Sequence, residues 1–147
     1  MRIRSSEQGS SMGWTAIFLA AVLLPLMLLI IDGSRVLYVR GRLQTAADAA
    51  CEAAAWTVGD RSAYLETGQT RLGNAWQALG VAQDTFASTL GESTRVVFTP
   101  LLSVTLDYAN NQIVCAATAR VQVLFNAAGV SPQVNVSANA VSAVRFR

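Results

Sequence analysis

Gly13–Ile31, GWTAIFLAAVLLPLMLLII, is a run of 19 residues without a charge. At about 1.5 Å of helical rise per residue it measures roughly 28 Å, the hydrocarbon thickness of a bilayer. Arg2 and Arg4 precede it, as they would a secretory signal, but such apolar regions run to about 7–15 residues and end in a small-residue cleavage pattern. Here the run passes instead into Asp32-Gly33-Ser34-Arg35 and then into more helix-forming sequence. The expectation is a retained transmembrane helix. Basic residues flank both sides almost equally, Arg2 and Arg4 against Arg35, Arg40 and Arg42, so charge alone leaves the orientation a near draw. The strand-rich, cysteine-containing remainder favours an exported C-terminal part, with the N-terminus inside.

Beyond the span, Val36, Val39, Leu43, Ala46, Ala50 and Ala53 recur at alternating three- and four-residue spacing, which lines one face of a helix. Arg35, Arg42, Asp48 and Glu52 lie largely off that stripe. No proline interrupts residues 26–57, so span and stripe are expected to form one rod of roughly 68 Å from Gly13 to Thr57. Its second half, LQTAADAACEAAAW from Leu43 to Trp56, is dense in small side chains, which let another helix or a sheet approach closely. Pro25 sits inside the span, where a missing N–H and a steric clash predict a kink or local melt.

Composition narrows the chemistry. The 147-residue chain has no histidine, and all 11 basic residues are arginine. It therefore lacks an imidazole base or ligand, a Schiff-base lysine and a P-loop lysine. The serines and threonines have no base partner. Asp32 and Asp48, 16 positions apart on the rod, cannot share a proton within one chain. A net charge of +2 without a basic cluster gives no nucleic-acid footprint. The chain is expected to be no enzyme, with no cofactor and no metal.

After the rod, Asp60–Gly80 places apolar residues at mostly helical intervals and predicts a second helix, with Asp60 or Ser62 as N-cap and Gly80 as its stop. Residues 81–93 read as a polar connection. Then the period becomes two. Leu102, Val104, Leu106 and Tyr108 alternate with polar residues, Asn110-Asn111 marks a turn, and Ile113 to Phe125 return on one face. Val134 to Ala140 alternate again, continuing through Val144 and Phe146. With a weaker edge strand at Arg95–Thr99, the expectation is an antiparallel sheet of three or four strands. One face of it must be covered by the alanine-rich rod and the second helix. The fold class is α+β: a long N-terminal transmembrane and stalk helix, plus a second helix, packed on that sheet. Trp14 reads as an interfacial anchor, and Trp56 and Trp76 as packing residues between helices and sheet.

Cys51 and Cys115 both point into the predicted helix–sheet seam, either as a disulfide or as two buried thiols. Two cysteines without histidine fall short of a tetrahedral zinc set.

The residues from Ser6 to Ala55 resemble the N-terminal segment of TadE/TadG-like proteins, pilin-related components of the tight-adherence (Flp) pilus machinery of bacteria. The resemblance rests on the Glu7-Gln8-Gly9 lead, the Pro25-containing span ending at Asp32-Gly33, and the motif of Arg42, Leu43, Gln44, Thr45, Ala46, Ala47 and Asp48 that runs on into Ala49-Ala50. The hydropathy and periodicity above divide this pilin-like, α+β chain into an expected cytoplasmic leader (1–12), a transmembrane helix (13–31), a continuous stalk (32–57) and an exported domain (58–147). The resemblance implies a structural subunit in the bacterial inner membrane, a minor pseudopilin or a filament subunit, its domain in the periplasm or in an extracellular filament. The implied partners are copies of the chain or other pilin subunits, an inner-membrane assembly platform and the bilayer, with no nucleic acid. The assembly surface expected for such a subunit comprises Leu19, Leu23, Pro25, Leu28, Val36, Val39, Leu43, Ala46 and Ala50. Type IV pilins are cut after a glycine, leaving glutamate at the fifth mature position. Cutting here after Gly9 or Gly13 would put Trp14 or Phe18 there, so the chain is expected to stay uncleaved. A tethered periplasmic module that never polymerises and recognises a peptide or envelope component through an edge strand is the alternative.

Overall fold

The computed structural model describes residues 8–59, 61–68, 72–91, 97–124 and 133–144. Helix runs without a break from Gln8 to Val58: α1 (Gln8–Phe18), a π turn at Leu19–Leu23 and α2 (Leu24–Val58). Pro25 lies at the start of α2, directly after the wide turn. Proline offers no N–H to the preceding turn. Local i→i+5 winding shifts the bonding register around the missing donor, so the chain accommodates Pro25 without leaving the helix. Gly33 and Gly41 do not break it either.

The second helix differs from its sequence reading. Arg61–Thr67 forms α3 and Ala75–Leu90 forms α4. The interruption falls at Gly68, whose φ of +68° ends α3, with its N–H on the Tyr64 carbonyl at 2.8 Å. Gly73 then donates to the Val58 carbonyl at 2.7 Å, returning the chain to the end of the rod. The Asn74 side chain caps α4, accepting from the Trp76 N–H at 3.1 Å. Asp60, one of the two proposed caps, lies outside the described residues. Nor does Gly80 stop the helix: the region read as a polar connection continues it. Ala78, Ala82, Phe86 and Leu90, each four apart, form its buried stripe, and Gly80 faces open space away from that stripe. Packing of the stripe outweighs the roughly 1 kcal/mol that a glycine costs a helix. Gly91, with φ of +49°, ends it.

Among the described residues the sheet has three antiparallel strands in sequential order: β1 (Val97–Asp107), β2 (Gln112–Gln122) and β3 (Gln133–Ala143). The separate edge strand expected at Arg95–Thr99 is the start of β1. A bulge between Phe98 and Leu101 joins the two pieces, because Pro100 has no N–H for the ladder and Thr99 turns to φ of +47°. Residues 95 and 96 lie outside the described residues, as do Phe125 and Phe146. The β1–β2 turn is closed by Asp107, whose carboxylate accepts from the Ala109 and Asn110 N–H groups and, at 2.7 Å, from the Asn110 amide. Chiefly that Asn110 side-chain bond holds its pKa below the ordinary value. The turn therefore gains from ionised Asp107 above the usual carboxylate pKa, and loses that support as pH falls through the lowered one.

The inward face of β2 carries Ile113, Cys115, Ala117, Ala119 and Val121, all buried. Against it lies the alanine-rich half of α2: Val39, Leu43, Ala46, Ala47, Ala50, Cys51, Ala54, Ala55 and Val58 are buried. The rod packs on α4, β3 and β2. Alanine is the side chain that lets helix backbone and strand backbone meet, which explains a core with so few large residues; Leu43 and Ile113 are the largest fully buried ones.

Candidate assembly surface

The expected assembly residues divide into two groups. Leu19, Leu23 and Leu28 are exposed, while Pro25 and Val36 are half-buried. Val39, Leu43, Ala46 and Ala50 are buried beneath the chain's own sheet and α4. Those four hold the head on the rod, so within this structure their surface is spent, while the span and the outer side of the stalk are exposed among the described residues.

The motif residues explain why the head sits where it does. Leu43, Ala46 and Ala47 are core. Gln44 reaches across to β3, its amide donating to the Asn139 carbonyl at 2.8 Å and to Asp48 at 3.0 Å. Arg42 and Asp48 face outward. In mechanical terms the motif is a clamp between stalk and sheet.

A second tie leaves no local signal in the sequence. Asp32, read as the polar end of the span, is 6% exposed, and its carboxylate accepts from the Leu124 N–H at 2.8 Å, across 92 residues of sequence. The sheet thus reaches back along the stalk to the last turn before the apolar run. Asp32→Ala is expected to leave that N–H without its acceptor, at a cost of about 1–3 kcal/mol. Hydrogen exchange at the Leu124 amide should accelerate by about 5- to 150-fold, whereas Asp32→Asn, which keeps an acceptor oxygen, should preserve most of the protection.

Cys51 on the rod and Cys115 on β2 are joined as a disulfide, Cα atoms 5.7 Å apart. The link spans 64 positions, which on the chain-entropy model is worth about 4 kcal/mol. The Cys51 sulfur also lies 3.2 Å from the Ile113 carbonyl and 3.6 Å from that of Ala140, so a reduced Cys51 thiol has acceptors at hand. Denatured protein kept from reductant should show no free thiol and reduced protein two; two reactive thiols without reductant would contradict the bridge.

Two aromatic assignments are corrected. Trp76 is 81% exposed and Trp56 48%; neither fills the helix–sheet seam, because alanines bring the backbones too close to admit an indole. Trp56 instead borders a cleft of about 250 Å³ with Glu52, Ala55 and Val141.

Among the described residues, one helix is long and apolar enough to cross a membrane, and it is continuous with the spine of a small α+β head. Residues 9–57 match the family model Tad, described as putative Flp pilus-assembly TadE/G-like. The match covers the span, Asp32 and the whole clamp motif, so the similarity to TadE/G-like pilus-assembly proteins lies in the N-terminal third of the chain. No curated protein and no solved structure matches the chain.

Proposed function

We propose that this chain is a structural, pilin-like subunit of a Flp/Tad pilus, anchored in the bacterial inner membrane by residues 13–31 with its head in the periplasm. It assembles with copies of itself or with other pilin subunits through its N-terminal helix, delivered by an inner-membrane assembly platform. It is not an enzyme, and its work is done by its interfaces.

One observation carries this reading. A helix that is wholly lipid-compatible in its first half is locked in its second half, by core, clamp and disulfide, to a head that leaves the outer side of the stalk uncovered. Lipid solubility of the first half suits storage in a membrane, and the same side chains suit burial among like helices once the subunit leaves it. Surface fibres sheared from cells should contain the chain at its full mass. Recovery only from detergent-solubilised membranes would reject the subunit reading.

A tethered, non-polymerising module has one feature in its favour. β3 is an edge strand of 11 residues with neither charge nor proline, next to the Trp56 cleft, and such an edge accepts an extended peptide. β1, the other edge, is blunted by its bulge and Pro100.

A further inference from the structure

The face of the sheet turned away from the rod carries a polar hollow. On β2, Thr118 and Arg120 alternate with the buried Ala117, Ala119 and Val121 and are themselves exposed. The ladder sets Arg120 opposite Asn135 and Thr118 opposite Ser137, both exposed on β3. Directly opposed residues share one face, with Cβ atoms about 4.5–5.5 Å apart, so the four polar side chains form one block. On the other flank, β1 runs from Phe98 to Leu101 while β2 runs only from Arg120 to Thr118. The extra residue bends the strand beside the block. It also holds Thr99, a β-branched residue, at φ of +47°, a costly conformation that persists only where its surroundings enforce it. Between bulge and block lies a hollow of about 320 Å³, lined by Thr99, Leu101 and the four polar residues. Small-ligand sites begin at about 300 Å³.

Among the described residues, Arg120 makes no ion pair or hydrogen bond, and no carboxylate lines the hollow. A free guanidinium is a planar fork that an oxyanion such as a carboxylate fits with two parallel bonds. The Asn135 amide and the Thr118 and Ser137 hydroxyls each donate and accept, which suits neutral hydroxyl groups beside that one charge. Leu101, 67% exposed, gives the rim an apolar surface. We infer that the hollow binds a uronate unit of an acidic polysaccharide: its carboxylate on Arg120, its ring hydroxyls on Asn135, Thr118 and Ser137, and a C–H face of the ring over Leu101. A bare phosphate would leave most of the hollow unfilled and make no use of the apolar rim. The site lies on the opposite face of the sheet from the rod and is open in a single copy, so its occupancy is independent of polymerisation.

Calorimetric titration of the full-length chain in phosphatidylcholine nanodiscs with trigalacturonate provides the test. Binding should saturate, and the neutral galactotriose should bind at least about tenfold more weakly, since it lacks the charge-assisted bond. R120Q should weaken trigalacturonate roughly 10- to 150-fold and erase the preference for the acidic sugar. N135A should cost roughly 2- to 10-fold and keep that preference. Both side chains are exposed, so neither change should shift the melting temperature measurably. R35Q, which removes the same charge from the stalk, should bind like the unaltered chain. Absence of trigalacturonate binding, equal losses in R120Q and R35Q, or inorganic phosphate or triglutamate binding as tightly as trigalacturonate would each overturn the uronate site and leave the subunit reading standing.

Discussion

Removing Gly13–Ile31 is expected to abolish partition of the chain into lipid vesicles and its self-association, with the head still folded. No residue of that segment belongs to the core, which begins at Val39. Its leucines, isoleucines and valines are exposed in the isolated chain. Each buried methylene contributes about 0.8 kcal/mol to transfer out of water, so the whole segment is worth far more than any surface attraction of the head. A gentler version keeps the chain length. Leu23→Arg and Leu26→Arg each place a charge near mid-span at about 2.5–3.5 kcal/mol, and the pair should shift the chain measurably from vesicle to supernatant in flotation. Unchanged flotation of the deletion would show that the head, not the rod, holds the membrane.

The second large effect belongs to Leu43. It is the biggest side chain on the buried face of the rod, 1% exposed, surrounded by alanines that cannot move in to fill a gap. Leu43→Ala should cost about 2–5 kcal/mol, a large share of the 5–15 kcal/mol typical of a domain. Leu37→Ala, six positions earlier on the same helix, provides the control. Leu37 is 69% exposed, and its truncation should stay within about 0.5 kcal/mol. Chemical denaturation of the two variants decides the matter; equal losses would mean that the rod's buried and open faces are wrongly assigned.

What the sequence disclosed follows from how local each signal is. Alternating three- and four-residue spacing from Val36 to Ala50 announced the buried face of the stalk, and two-residue alternation announced β2 and β3, because both patterns are written in consecutive residues. Turn chemistry was legible at Asn110-Asn111 for the same reason. Gly80 reads as a helix stop in the sequence although Ala82, Phe86 and Leu90 carry the buried stripe beyond it. Only the packed structure shows that this glycine lies on the open side. Pro100 made one strand resemble two, since a bulge is a tertiary solution to a missing donor. Asp32 was the hardest to see: an aspartate after an apolar run looks like an interfacial charge, and its partner is a backbone N–H far along the chain. Trp56 and Trp76 misled in the opposite direction, because large aromatics ordinarily fill cores, and this core is built for close backbone approach.

The central claim is that one unbroken helix lies in lipid at its start and in the head at its end. Hydrogen exchange of the full-length chain in vesicles tests it most directly. The account predicts continuous protection of the backbone amides from about residue 17 to residue 58, by the bilayer up to Ile31 and by the head and helical bonding beyond Asp32, with no fast-exchanging gap at 32–38. Rapid exchange across that junction, or throughout 17–31, would contradict it.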